Sequence, residues 1–110
     1  MTNKFKEKSC DSFILSVHMA GDFASAKSII QRYAADFGMC VSLTKQSYVY
    51  TGGCEDGVVV GFINYPRFPK EPEVIVSEAK DLAFHMAIEL GQSSYSIVTP
   101  EKTFWFSRRD

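Results

Sequence analysis

Two helical stripes of apolar residues, each closed by a glycine, constrain this chain more than any other feature. Phe23, Ala26, Ile30, Tyr33 and Phe37 recur at spacings of 3, 4, 3 and 4, the period of one buried helix face. Asp22 stands where a carboxylate accepts from the free amides of the first turn, and Gly38 where a helix ends in a positive φ. Ile75, Ala79, Leu82, Met86 and Leu90 form the second stripe, with Glu73 and Glu78 early in it and Gly91 as its stop. Acids at that end favour the helix dipole. Each stripe must be buried against another element, and the segments between them supply a sheet.

Residues 12–19 are short, β-branched and aromatic, which predicts a central strand. Met39, Val41 and Leu43 alternate with Cys40 and Ser42 as a second strand. The phase changes before Tyr48, Val49 and Tyr50, so a bulge or loop is expected at residues 44–47. Asp56-Gly57 predicts the hairpin return, with a third strand over residues 58–65. Pro66, Pro69 and Pro72 bar regular structure up to the second helix. Tyr95, Ile97 and Thr99 mark a fourth strand, and Thr103–Ser107 a short fifth. The order strand, helix, strand, strand, helix, strand is that of the α+β, ferredoxin-like fold, an antiparallel sheet with both helices on one face. The other face is left open, with Tyr48, Tyr50, Phe62, Phe104 or Phe106 as its candidate aromatics, and such faces dimerise or bind something.

At 110 residues the chain fits a single domain, 1–110, with residues 1–11 read as a flexible lead and Arg108 to Asp110 as a solvated tail. A chain of this size buries roughly 65% of its unfolded surface, enough to fold without staples. A net charge of −1 provides no global field toward nucleic acid or an anionic membrane. No apolar run approaches the ~20 residues of a membrane span. The three widely spaced cysteines, Cys10, Cys40 and Cys54, read as reduced thiols of a cytoplasmic protein. Neither a metal site nor a cofactor motif is expected. Gly52, Gly53 and Gly57 lie between strands, unlike the phosphate loop that joins a strand to a helix.

The best site candidate is the run Asn64-Tyr65-Pro66-Arg67-Phe68-Pro69. Arg67 offers a planar fork for an anion, Tyr65 and Phe68 are rings able to stack, and the prolines restrict the backbone. The competing reading is a rigid linker with Arg67 paired to a surface acid. His18, near the end of the first strand, joins Arg67, Tyr65, Asn64 and Phe68 as a ligand-binding candidate. His18 and His85 share the tripeptide His-Met-Ala, but the hydroxyl residue of two-histidine phosphoesterases is missing in both. No catalytic residue can be named.

Met19-Ala-Gly-Asp22, Gly38-Met-Cys-Val41, Tyr50-Thr-Gly-Gly53 and the run from Gly61 to Pro69 together resemble a family of small phage and prophage proteins with no attached activity. The resemblance implies a virus-encoded accessory or counter-defence protein in the host cytoplasm. The expectation is therefore a non-enzymatic binding module, a homodimer, for a small anionic, nucleotide-like ligand or a host protein. One alternative is an inhibitor or scaffold using the open sheet face or an edge strand. The other is a small enzyme acting on a nucleotide, for which the chain provides only His18, His85 and scattered carboxylates.

Overall fold

In the computed structural model, which describes residues 4–109, the chain runs β1 (Ile14–Ala20), α1 (Phe23–Phe37), β2 (Ser42–Tyr50), β3 (Gly53–Ile63), α2 (Pro72–Leu90), β4 (Ser94–Val98) and β5 (Thr103–Ser107). The strands form one five-stranded sheet in the order β2-β3-β1-β4-β5. Every pairing in it is antiparallel. The first four strands follow the expected ferredoxin-like order, and β5 extends the sheet beyond β4. Residues 1–3 of the expected flexible lead and Asp110 of the expected tail lie outside the described residues.

Both helices are bounded by the chemistry their sequences carry. The Asp22 carboxylate accepts from the Ser25 amide and hydroxyl, each at 2.9 Å, and these bonds hold it below the usual carboxylate range. Gly38 follows α1 at φ 66. Pro72 opens α2, where its missing N–H leaves no bond unmade. At the other end Gly91 takes φ 68, its amide bonds the Ile88 carbonyl, and the Gln92 amide bonds that of Ala87. This is the paired closure that satisfies the last carbonyls of a helix.

The core is a single layer between sheet and helices. Leu15, Val17 and Met19 of β1 pair with Phe62, Val60 and Val58 of β3, and all six are buried. Ile97 of β4 sits beside Val17. Leu82 and Met86 of α2 are fully buried over these strands, and each contributes about 1.5–3 kcal/mol by leaving water. On the outer side of this layer the Tyr33 hydroxyl donates to Asp81. Burial, then that bond and the Asp81 charge, pushes the Tyr33 phenol up to about 12.

The hairpin corrects two expectations. β2 runs unbroken from Ser42 to Tyr50, with no bulge in its register. The apparent slip arises because Tyr48 and Tyr50 face the open side while Leu43 faces the helices. The reversal lies at Thr51 and Gly52, where Gly52 supplies φ 91, and Asp56-Gly57 sits inside β3. β1 pairs with β3 only from Gly57 onward, so the hairpin projects beyond the helical layer and Val49 is 80% exposed. The open-face list also changes. Phe62 is in the core, Phe104 and Phe106 pack against it, and Trp105 takes the outward position on β5. The end of the expected flexible lead is tied down: Asn64 Nδ2 donates to the Asp11 carbonyl at 2.8 Å, and the Cys10 thiol to the Asn64 carbonyl at 3.6 Å.

Gly57 has no room for a side chain: a Cβ there would run into the Tyr48 ring and the Met19 carbonyl oxygen. Gly57→Ala is expected to destabilise the protein by about 1–3 kcal/mol in denaturant unfolding. Adding Tyr48→Ala should not restore stability, because the backbone oxygen of Met19 still blocks the site. Full recovery in the double variant would contradict this packing.

Candidate functional site

β3 ends at Ile63 and releases the chain into the proline-rich stretch, residues 64–71, before α2 begins. This loop, the link after α1 and the first turns of α2 enclose a cavity of about 530 Å³. Its floor is apolar, made by Phe62 and Ile75, both buried. Met39 and Cys40 form one wall, and Tyr65 and Phe68 another. The two rings lie 6.2 Å apart at 49°, and both are exposed, at 41% and 61%. A turn bond from the Phe68 amide to the Tyr65 carbonyl, 2.9 Å, sets their spacing.

One charged pair faces this cavity. The Lys70 ammonium donates to both carboxylate oxygens of Glu78, at 2.7 and 3.0 Å. Both side chains are about one-third exposed, so the pair adds at most about 1 kcal/mol to stability. Its carboxylate remains accessible to a cationic ligand group. Asn64 also lines the cavity, with its side-chain oxygen accepting from the Lys70 amide at 2.9 Å. The arrangement suits a flat, weakly polar ring against Tyr65 and Phe68 and a positively charged end toward Glu78.

The structure brings Asn64, Tyr65 and Phe68 to this cavity. Arg67 stacks its guanidinium on Phe68, 5.3 Å from the ring centre, and is not part of the lining. His18 is elsewhere, on the open face of the sheet. There Nε2 lies 2.9 Å from the Ser16 hydroxyl, and the Tyr48 ring meets the imidazole edge-on. The Tyr48 hydroxyl donates to the Val58 carbonyl at 2.7 Å. Burial lowers the His18 pKa and raises that of Tyr48. Sequence reasoning missed Lys70, Glu78, Met39 and Cys40. Glu78 carried a signal in its place beside Ile75 and Ala79 on the buried stripe, where an acid needs a partner. Among the described residues, no group of three or more His, Cys, Asp or Glu side chains could hold a metal ion.

No protein-family model matches the chain, and no curated protein matches it. Two solved structures share its fold over nearly the whole length. One is a phage SAM lyase in complex with S-methyl-5'-thioadenosine, with a TM-score of 0.71, 12% identity and 96% coverage of both chains. The other is a phage SAM lyase in the apo state, with a TM-score of 0.67, 14% identity and coverage of 97% of this chain and 98% of that one. The fold is thus one that phage proteins use, in keeping with the resemblance drawn from the sequence. The expectation of a non-enzymatic module is overturned: both of these solved proteins are lyases. The expectation of a small ligand agrees with the first of them, which holds S-methyl-5'-thioadenosine, an uncharged nucleoside thioether in place of the expected anion. Among the described residues no helix is long and apolar enough to cross a membrane.

The lowered pKa of His18 sets a pH dependence. Below the ordinary value of 6.5 the unfolded chain takes up a proton that the folded imidazole resists. This contribution to stability is present above pH 6.5 and is lost as pH falls through the folded pKa. His18→Gln should therefore flatten the loss of melting temperature between pH 7 and pH 5. An unchanged acid slope in that variant would show that the imidazole is not held neutral by the sheet.

Proposed function

We propose that this protein cleaves S-adenosylmethionine (SAM) at its sulfonium and releases S-methyl-5'-thioadenosine without adding water. The observation that carries the reading is the fold shared, at a TM-score of 0.71, with a phage SAM lyase holding that thioether. The cavity beside the loop supports it. Tyr65 and Phe68 offer rings for the adenine, and Glu78 offers a carboxylate for the α-ammonium of the methionine part. The ligand class is then a nucleoside bearing a sulfonium in place of a phosphate.

The reaction we propose is an intramolecular displacement. The substrate's own carboxylate oxygen attacks its γ-carbon, a C–O bond forms, and the bond from that carbon to sulfur breaks. The bonding pair passes to sulfur, which leaves as the neutral thioether, and the four-carbon fragment closes to homoserine lactone. No proton moves, so no general base is required. The protein's part is to hold the folded-back conformer, which by proximity alone is worth up to several powers of ten in rate. The apolar floor of Phe62 and Ile75 disfavours the separated sulfonium and carboxylate charges, and both vanish in the product. Acting in a phage-infected cell's cytoplasm, such an activity would deplete the methyl donor. We also propose that copies associate through the open sheet face, where Trp105 is 67% exposed; native mass spectrometry reads the number of copies.

Incubation with SAM, followed by mass spectrometry against a protein-free control, should show the thioether and homoserine lactone in equal amounts. Vinylglycine in place of the lactone would mean elimination by a base, and SAM loss at the control rate would sink the proposal. Glu78→Gln should lower kcat/KM by about 10-fold or more, equivalent to about 1.4 kcal/mol. It should change unfolding stability by no more than about 1 kcal/mol.

A further inference from the structure

We infer that Asn64 is a positioning residue whose side-chain amide closes the loop that carries Tyr65 and Phe68 and seats Lys70 against Glu78. The role deepens the nucleoside reading of the cavity and rests on it. Asn64 is the first residue after β3, and its backbone amide extends the sheet by one rung, donating to the Phe13 carbonyl at 2.8 Å. Its side-chain oxygen accepts from the Lys70 amide at 2.9 Å. Its side-chain nitrogen donates to the Asp11 carbonyl at 2.8 Å, and its own carbonyl accepts from the Cys10 thiol.

These bonds give one side chain control of both ends of the loop. The chain leaves the sheet at Asn64, and the Lys70 amide closes residues 65–69 back onto the Asn64 side chain, so a single side-chain amide fixes the span between them. The other half of that amide is anchored on the segment before β1, which is held in turn by β1 itself. Beyond the pinned Lys70 amide, the ammonium of the same residue reaches Glu78. The polar groups of the Asn64 side chain are therefore engaged within the protein, and their effect on a ligand passes through the rings and the ion pair. Asparagine has both groups this place uses. It accepts from an amide on one side and donates to a carbonyl on the other, whereas aspartate offers only acceptors and leucine neither group.

Two readouts separate this role from the proposed activity. The first, hydrogen–deuterium exchange of the ligand-free protein, needs no ligand. Asn64→Ala should raise exchange at the Lys70 amide and across residues 65–69 by about 10-fold or more, with α1 and the central strands unchanged. Asn64→Asp keeps the acceptor for Lys70 and loses the donor to Asp11, so it should keep the loop protected while residues 10–13 exchange faster. The second is calorimetric binding of S-methyl-5'-thioadenosine. Asn64→Ala should weaken it about 10-fold, and Asn64→Asp should recover most of that loss. Unchanged loop exchange in Asn64→Ala overturns the inference whatever the ligand result, as does equal thioether affinity in Asn64→Ala and the wild type. Should the Ala variant fail to fold, loss of loop protection in Asn64→Asp overturns it instead. Wild-type protein that does not bind the thioether overturns the nucleoside reading, and loop exchange alone then decides the role of Asn64.

Discussion

The rest of this structure depends on the pairing of β1 with β3. Both strands are central, and their buried sides meet the helices in fixed register, Leu15 with Phe62, Val17 with Val60 and Met19 with Val58. A slip of one residue would turn Ser16 and His18 into the core and put three apolar side chains into water. That penalty holds the register firmly. The register in turn fixes where β3 stops, because the rung after Ile14–Ile63 joins Asn64 to Phe13. The position of the candidate site is thus a consequence of core packing at the middle of the sheet. The loop inherits a rigid origin although it has no regular structure of its own.

Elements governed by local chemistry were legible in the sequence. The bounds of α1 follow from Asp22 and Gly38, and those of α2 from Pro72 and Gly91, each lying at the helix end it marks. Strand order followed from the alternation of elements and the handedness of crossovers. The hairpin was harder. Asp56-Gly57 is the stronger turn signal by composition, yet the chain reverses at Thr51 and Gly52. Pairing at the earlier position sets Leu43, packed against the core, opposite the buried Val60, and that gain from burial outweighs turn preference. The faces taken by Phe62, Phe104, Trp105 and Phe106 were equally hidden, because a strand's alternation does not say which of its sides is inward.

The candidate site was legible in its aromatic half only. Asn64, Tyr65 and Phe68 are close in sequence, and the prolines around them mark ordered irregular chain. Lys70 and Glu78 lie on opposite sides of a helix start, and their ion pair exists only once the loop is folded back on α2. Met39 and Cys40 enter from a segment remote in sequence. Arg67 was the most conspicuous residue of the run for its charge, but its guanidinium lies over the Phe68 ring and is not part of the cavity lining. Charge on an exposed loop is easily read from sequence, whereas the direction of a side chain is set by the bonds that shape the loop.

A search of the sequence for paired bases, nucleophiles and metal ligands finds none, and that is what favoured a module without chemistry. Such a search presumes that the protein must move a proton or form a covalent bond to the substrate. The displacement proposed for SAM does neither, since the nucleophile and the leaving group belong to one molecule. Charge is what changes most along that path: a sulfonium and a carboxylate become a thioether and an ester. An apolar floor works in favour of that change, because it stabilises the neutral products relative to the separated ions. In the proposed reaction the Glu78 carboxylate would orient the ammonium, the one charge the reaction leaves in place. A cavity poor in reactive groups, with aromatic walls and one ion pair at its edge, is therefore the form of site such a reaction calls for.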